Sequence, residues 1–594
     1  MPPPDVVAPT PVLLPRPRSF EPSPDGRRVP DRVPVESLDA TLAPQGYRLE
    51  VGEDAVRLVG ADEAGLRHGR ATLSQLRHPA NAPGGVEDGT LAACQVVDWP
   101  DFAVRGVMVD VSRDRVPSMD TLRDLVDRLA GWKINQLQLY MEHTFAYAGH
   151  EDVWRLADPY TVQDMHDLDA HCARRGVELV ANQNTLGHFE RWLRLARYRP
   201  LAIAPDGFDW MFGIRRPALT LDPANPEAFA LVSDLLAQLV PQVKSGRVHI
   251  GMDEPWELGP ERHGEWVTWL GALRALPVLE GRELLVWGDI PAAHPDLLGE
   301  LPDDVTVCEW GYEANHPFEE RAARLEESGV PFWVCPGTSS WMSISGRVDN
   351  MIGNIRSAAR SGAAHGARGL LVTDWGDMGH HQQPCVSDPG FATAAAFGWS
   401  VEAHAGLDAD ELATVLDVHC YDDPAGVTGH AVVGLGQAYQ MVVPRPPNMS
   451  ALALPYFLPQ WRMGKAVTAG LSRADLEAVQ ALVDDTAVAL GRARPKRPDG
   501  RLVVEEIVAT GALLRLACRD VVLRLEGDGG LASVAEADRA TLSAELEARI
   551  REYRRLWLER FRPGGLADST AWFEHLRDCY RTGSAPRSWF GPFG

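Results

Sequence analysis

Asp253 and Glu254 stand side by side after the apolar run Val248-His-Ile-Gly-Met252. An isolated pair of acids is usually a solvated surface or a helix start. Behind a buried-strand pattern the same pair suits proton transfer, because neighbouring carboxyls resist ionising together and one can serve as an acid. Similar polar clusters close other apolar runs: Asp110 and Arg113, Tyr140 and Glu142-His143, Asn182 to Asn184 with Gly187-His188. Trp287, Trp310, Trp341 and Trp375 follow four successive runs, accompanied by Asp289, Glu309, Tyr312 and Asp377. Any one of these tryptophans alone would be read as core. Their recurrence beside carboxylates, amides and arginine suits a pyranose, whose apolar faces stack on indoles while its hydroxyls seek polar partners.

Such residues meet only if their strands share one end. From Arg105 to about Ser400, short strands alternate with amphipathic helices. Candidate strands are 106–111, 136–140, 177–181, 248–251, 284–287, 305–309, 331–334 and 369–373. Ser118 precedes a helix with Leu122, Leu125, Val126 and Leu129 on one face, and Thr161 with Asp164 forms a capping-box pattern. Pro226 opens another helix. Eight strand–helix units predict an α/β fold, a (β/α)8 TIM barrel, with the C-terminal strand ends at one mouth. Before it, alternation over 47–51 and 56–58 and a helix over 65–76 predict a small N-terminal α/β domain. After it, apolar spacing over 471–483, 505–525 and 535–561 predicts a helical C-terminal domain. The expected division is a loose arm over 1–33, the small domain over 34–98, the barrel over 99–404 and the helical domain over 405–594.

A net charge of −24 argues against binding nucleic acid or anionic membranes. No apolar run approaches bilayer length, and residues 1–37 lack a secretory leader pattern. The eight cysteines are scattered without a CxxC pair, which fits reduced thiols and a cytoplasmic location. His380, His381 and Cys385 form only a weak metal signal, so neither metal nor cofactor is expected.

The chain resembles glycoside hydrolase family 20, the β-N-acetylhexosaminidases. That family's His-x-Gly-x-Asp-Glu pattern reads His249 to Glu254 here, and Arg-x-x-Met-x-Asp reads Arg105, Met108 and Asp110. Gly187-His188 and Trp375-Gly-Asp377 match two further strand ends, with Leu186 where proline is usual and Asp377 where glutamate is usual. Glu142-His143 replaces an aspartate-rich second strand end, leaving open which group orients His188.

The resemblance implies an exo-acting retaining enzyme in which the substrate's own acetamide is the nucleophile, a stated exception among retaining glycosidases. Asp253 would orient the acetamide and Glu254 would be the general acid/base. Arg105 and Asp377 would hold sugar hydroxyls, His188 would contact the substrate, and Trp287, Trp310, Trp341 and Trp375 would shape the pocket. Tyr312 is the candidate for the acetamide-binding tyrosine. The partner implied is a glycan ending in N-acetylglucosamine or N-acetylgalactosamine. A homodimer through the helical domain is expected from the bacterial cytoplasmic branch it resembles. Two alternatives stay open: a barrel glycosidase for sugars without an acetamide, using Glu142, and a non-catalytic sugar-binding barrel.

Overall fold

In the computed structural model, which describes residues 11–81, 89–210 and 215–586, eight parallel strands close into a barrel. They are Val104–Asp110, Gln136–Met141, Glu178–Gln183, Arg247–His249, Glu283–Trp287, Val305–Trp310, Phe332–Cys335 and Gly369–Asp374. The eighth pairs with the first from Gly369 opposite Val104 to Asp374 opposite Val109, so no sheet edge is left. All eight expected strands are present because apolar residues fill them on both faces, as a parallel sheet wrapped by helices requires. The helix Met119–Gly131 starts at Ser118, whose side chain accepts from the Thr121 amide, and buries Leu122, Leu125, Val126 and Leu129. Thr161 and Asp164 form a reciprocal capping box on Val162–Arg175.

Ahead of the barrel lies a five-stranded sheet in the spatial order Ser19–Pro22, Cys94–Asp98, Tyr47–Val51, Val56–Gly60 and Val35–Leu38. The helix Glu63–Leu76 packs against it. The loose arm expected over 1–33 is corrected here for its described part. Ser19–Pro22 pairs antiparallel with the strand ending at Asp98, and Leu13 and Leu14 are buried. Proline-rich segments suit an edge position, where missing amides cost little, so their composition imitates a free arm. Met1–Thr10 lie outside the described residues.

The small domain sits on the N-terminal end of the barrel strands. There Lys133 and Asp98, both fully buried, pair at 3.0 Å. Tyr47 Oη and Trp399 Nε1 each donate to Asp98 at 2.8 Å. A buried ion pair is tolerable only with its remaining lone pairs satisfied in this way.

Four long helices, Arg473–Leu490, Gly500–Leu525, Glu536–Arg560 and Leu566–Thr582, dominate the C-terminal region. They brace the barrel: the Ser118 amide donates to Arg560 O at 2.9 Å, and Tyr553 Oη donates to His380 O at 2.6 Å. Among the described residues no helix is long and apolar enough to cross a membrane.

Candidate active site

The fourth strand stops at His249 because the backbone then leaves the extended region. Gly251, Met252 and Glu254 take φ values of +66°, +71° and +47°. For non-glycine residues this is a strained conformation that persists only where neighbours enforce it. Trp266 Nε1 donates to Met252 O at 3.0 Å, and Thr185 Oγ1 donates to Ile250 O at 2.7 Å. The Glu254 amide donates to Asp289 Oδ2 at 2.9 Å. Gly187 permits the third loop to pass, since a Cβ there would lie 2.2 Å from Asp253 O. In a regular strand Asp253 and Glu254 would face opposite ways. The twisted loop turns both toward one imidazole: His188 Nε2 is 3.1 Å from Asp253 Oδ2 and 3.5 Å from Glu254 Oε2.

The two acids sit in different surroundings. The Asp253 side chain is 9% exposed and that of Glu254 31%. Asp253 accepts from Asn184 Nδ2 at 2.6 Å on one oxygen and from His188 on the other. Burial pushes its carboxyl up, but the charge and hydrogen bond of His188, then Arg113 and Asn184, hold it below the usual range. Burial disfavours a charged His188, yet Asp253 outweighs it and raises the imidazole well above its ordinary value. Asp289, half-buried beside them, is pushed up to about 7, first by burial and then by the Asp253 charge.

An aromatic wall encloses these groups. Trp375 Nε1 donates to Tyr312 Oη at 2.8 Å. Tyr312 stacks on Trp310 with centroids 5.3 Å apart and meets Trp341 edge-on at 5.1 Å. Trp341 is buried and donates to Asn448 Oδ1 at 3.0 Å, so it backs Tyr312 from behind. Trp287 is buried between His249 and Trp375, with ring centroids at 4.3 and 5.9 Å. Arg113 lies over the Tyr140 and Trp375 rings and within 3.4 Å of both Asp110 and Glu142. Burial raises the carboxyl of half-buried Asp377 to about 6, against the opposing charge of Arg113.

Two family models match the chain: "Glycosyl hydrolase family 20, catalytic domain" over residues 102–269, and "Glycosyl hydrolase family 20, domain 2" over 13–99. Residues 13–99 and 102–269 therefore resemble glycosyl hydrolase family 20. The chain is 28% identical over 245 residues to a beta-hexosaminidase of Akkermansia muciniphila, covering 37% of this chain and 47% of the relative. It is 24% identical over 325 residues to a beta-N-acetylhexosaminidase of Cellulomonas fimi, covering 52% of this chain and 61% of the relative. The chain thus spans about half the length of these curated relatives. A solved family 20 β-N-acetylhexosaminidase of Streptomyces coelicolor A3(2) shares the fold, with TM-score 0.52 and 20% identity over 71% of this chain and 97% of that one.

Against the family 20 expectations, the structure gathers Asp253, Glu254, His188, Tyr312, Trp310, Trp375 and Asp377 around the mouth, with Trp287 and Trp341 behind them. Arg105 is a correction. It stands at the start of the first strand, at the end of the barrel remote from the mouth, and is fully buried. Its guanidinium donates to Lys133 O at 2.8 Å, Phe102 O at 2.7 Å and Gln45 Oε1 at 3.0 Å. Strand direction decides the matter, because only residues at C-terminal strand ends reach the mouth. Arg113, three residues beyond Asp110, occupies that end instead. Asn184 and Asp289 stand at strand ends as the sequence indicated, but outside the expected catalytic and binding set; their roles lie in hydrogen bonds to the Asp253–Glu254 loop, which the sequence does not display. His188 is oriented by Asp253 itself, while Glu142 accepts from Tyr140 Oη at 3.1 Å and faces Arg113. His380 and His381 are buried, bonded to the Arg113 and Ser569 carbonyls at 2.6 and 3.0 Å. No group of three or more metal-ligating side chains occurs among the described residues.

Proposed function

We propose that this chain is an exo-acting retaining β-N-acetylhexosaminidase that uses its substrate's acetamide as nucleophile. The observation that carries this reading is the setting of Asp253, whose two carboxylate oxygens each already accept a hydrogen bond, one from Asn184 and one from His188. Such a carboxylate is a poor nucleophile, yet it retains lone pairs for one more N–H. It is therefore fitted to hold an acetamide N–H and to balance positive charge arising on that group.

The steps follow from the residues present. Glu254 gives its proton to the leaving oxygen as the acetamide oxygen attacks the anomeric carbon, forming an oxazolinium ring. Asp253 accepts the ring N–H and offsets its charge. Tyr312 Oη, which accepts from Trp375, keeps its own hydrogen to donate to the acetamide oxygen. The carboxylate of Glu254 then takes a proton from water as that water opens the ring, restoring the acid and giving net retention. Arg113 and Asp377 hold sugar hydroxyls. Glu142 is less suited to attack a sugar lacking an acetamide, because burial raises its carboxyl and Arg113 and Tyr140 engage it.

The substrate class is a glycan ending in a β-linked N-acetylhexosamine. All eight cysteines are unpaired and buried, which favours a reducing, cytoplasmic setting. A homodimer through the C-terminal helices is proposed from the bacterial branch of family 20 that the chain resembles. A chromogenic panel of β-N-acetylglucosaminide, β-N-acetylgalactosaminide and β-glucoside tests the activity. Cleavage confined to the acetamido sugars is expected. Equal cleavage of the glucoside would favour an enzyme nucleophile, and no cleavage a binding protein.

A further inference from the structure

We propose that Trp256, backed by Trp210 and Arg216, is the platform for the sugar on the leaving side of the scissile bond, a role that depends on the hexosaminidase activity proposed above. Trp256 lies two residues beyond Glu254, and its amide donates to Glu254 O at 2.7 Å. That bond ties the Trp256 backbone to that of the proposed acid. The ring lies 6.5 Å from His188 by centroids and is 37% exposed, which is unusual for tryptophan in this chain. It is not a solitary surface residue. The Trp210 ring lies 5.2 Å away at an interplanar angle of 35°, and the Arg216 guanidinium sits 5.2 Å from both ring centroids. The short antiparallel pairing of Phe208 with Arg216 and Asp209 with Arg215 brings Trp210 and Arg216 to the same place. Glu190 pairs with the Arg216 guanidinium at 3.7 Å.

The chemistry of this cluster matches a pyranose. The proton of Glu254 must reach the oxygen that joins the two sugars, so the leaving sugar has to lie just outside Glu254, on the Trp256 side. An indole offers a flat face to the sugar's C–H surface, and guanidinium N–H groups reach its hydroxyls. Because the rings and the cation already pack together, little side-chain freedom is lost when the sugar arrives. The pocket around Asp253 would thus select the terminal acetamido sugar, and the Trp256 platform would select a sugar rather than a small alkyl group as its neighbour.

The test compares kcat/KM for a β-linked N-acetylglucosamine disaccharide with that for trifluoroethyl N-acetyl-β-glucosaminide, which has no ring on the leaving side. Trp256→Ala should lower the disaccharide value about tenfold, mainly through KM, with a much smaller loss on the trifluoroethyl compound. Trp256→Phe should recover most of that loss, and Trp210→Ala should weaken the disaccharide selectively but less. Equal losses on both compounds, or no loss on the disaccharide, would overturn the platform. A wild-type protein that cleaves neither compound would instead overturn the hexosaminidase activity itself.

Discussion

Replacing His188 by glutamine removes a charge while leaving a donor of similar reach to Asp253. Two unit charges at about 4 Å attract by about 4 kcal/mol at an effective dielectric near 20, and much of that offsets the desolvation of both groups. With His188 Nε2 at 3.1 Å from Asp253 Oδ2, what the substitution removes is the excess of a charge-assisted over a neutral hydrogen bond, about 1–1.5 kcal/mol. The expected loss in kcat/KM at alkaline pH is therefore about 5- to 15-fold. The pH profile carries the sharper signature. His188 helps hold the Asp253 carboxyl below its usual range, so removing the imidazolium raises that carboxyl and neutralises it at higher pH. The acid limb of kcat/KM should move upward, making the loss greater at about pH 5 than at about pH 8. The assay is kcat/KM for an aryl N-acetylglucosaminide across that range, with thermal unfolding to verify the fold. Because Asp377 itself carries a carboxyl near 6, the comparison is made in Asp377→Asn protein, where an acid limb that stays in place would refute the assignment of His188 as the group keeping Asp253 anionic.

Three further outcomes follow from the same geometry. Asp377 carries a carboxyl raised to about 6, so it gains a proton as pH falls through that value; Asp377→Asn should abolish an acid limb near there and lower the plateau about 10- to 100-fold. Arg113→Met should cut kcat/KM by a similar factor, whereas Arg105→Met should chiefly lower the unfolding temperature, by several degrees for the loss of about 3 kcal/mol of buried hydrogen bonding; the reverse pattern would restore Arg105 to the site. Light scattering at micromolar concentration should report a dimer rather than a 65.1 kDa monomer.

Barrel architecture was legible because each strand is a short apolar run and each intervening helix shows its own period, as at Leu122 to Leu129. The carboxylate pair was legible because Asp253-Glu254 breaks an apolar run that nothing else explains. Arg105 was misplaced because its motif was read without strand direction, although Arg113 at the strand's far end was already in view. The Pro-rich N-terminal segment misled for a different reason: an edge strand and a loose arm share a composition and differ only in a distant partner, here Cys94–Val97. Asn184 and Asp289 were visible only as polar groups at strand ends, without a role. Their importance lies in hydrogen bonds to a backbone whose positive φ angles at Met252 and Glu254 are a tertiary outcome, invisible to local pattern.

The central claim is the division of labour between Asp253 and Glu254, and leaving-group dependence tests it most directly. Single-turnover rates are measured for Glu254→Gln and Asp253→Asn on a β-linked disaccharide and on an aryl glycoside with an acidic phenol. Glu254→Gln should slow the disaccharide by about 10²- to 10⁴-fold, the usual scale of general acid–base catalysis, because an alkoxide leaves badly without a proton. The first step on the aryl glycoside, whose leaving group needs little help, should suffer far less. Asp253→Asn should slow both substrates alike, since each needs its acetamide oriented. Equal damage from Glu254→Gln on both substrates, with discrimination by Asp253→Asn, would contradict the account.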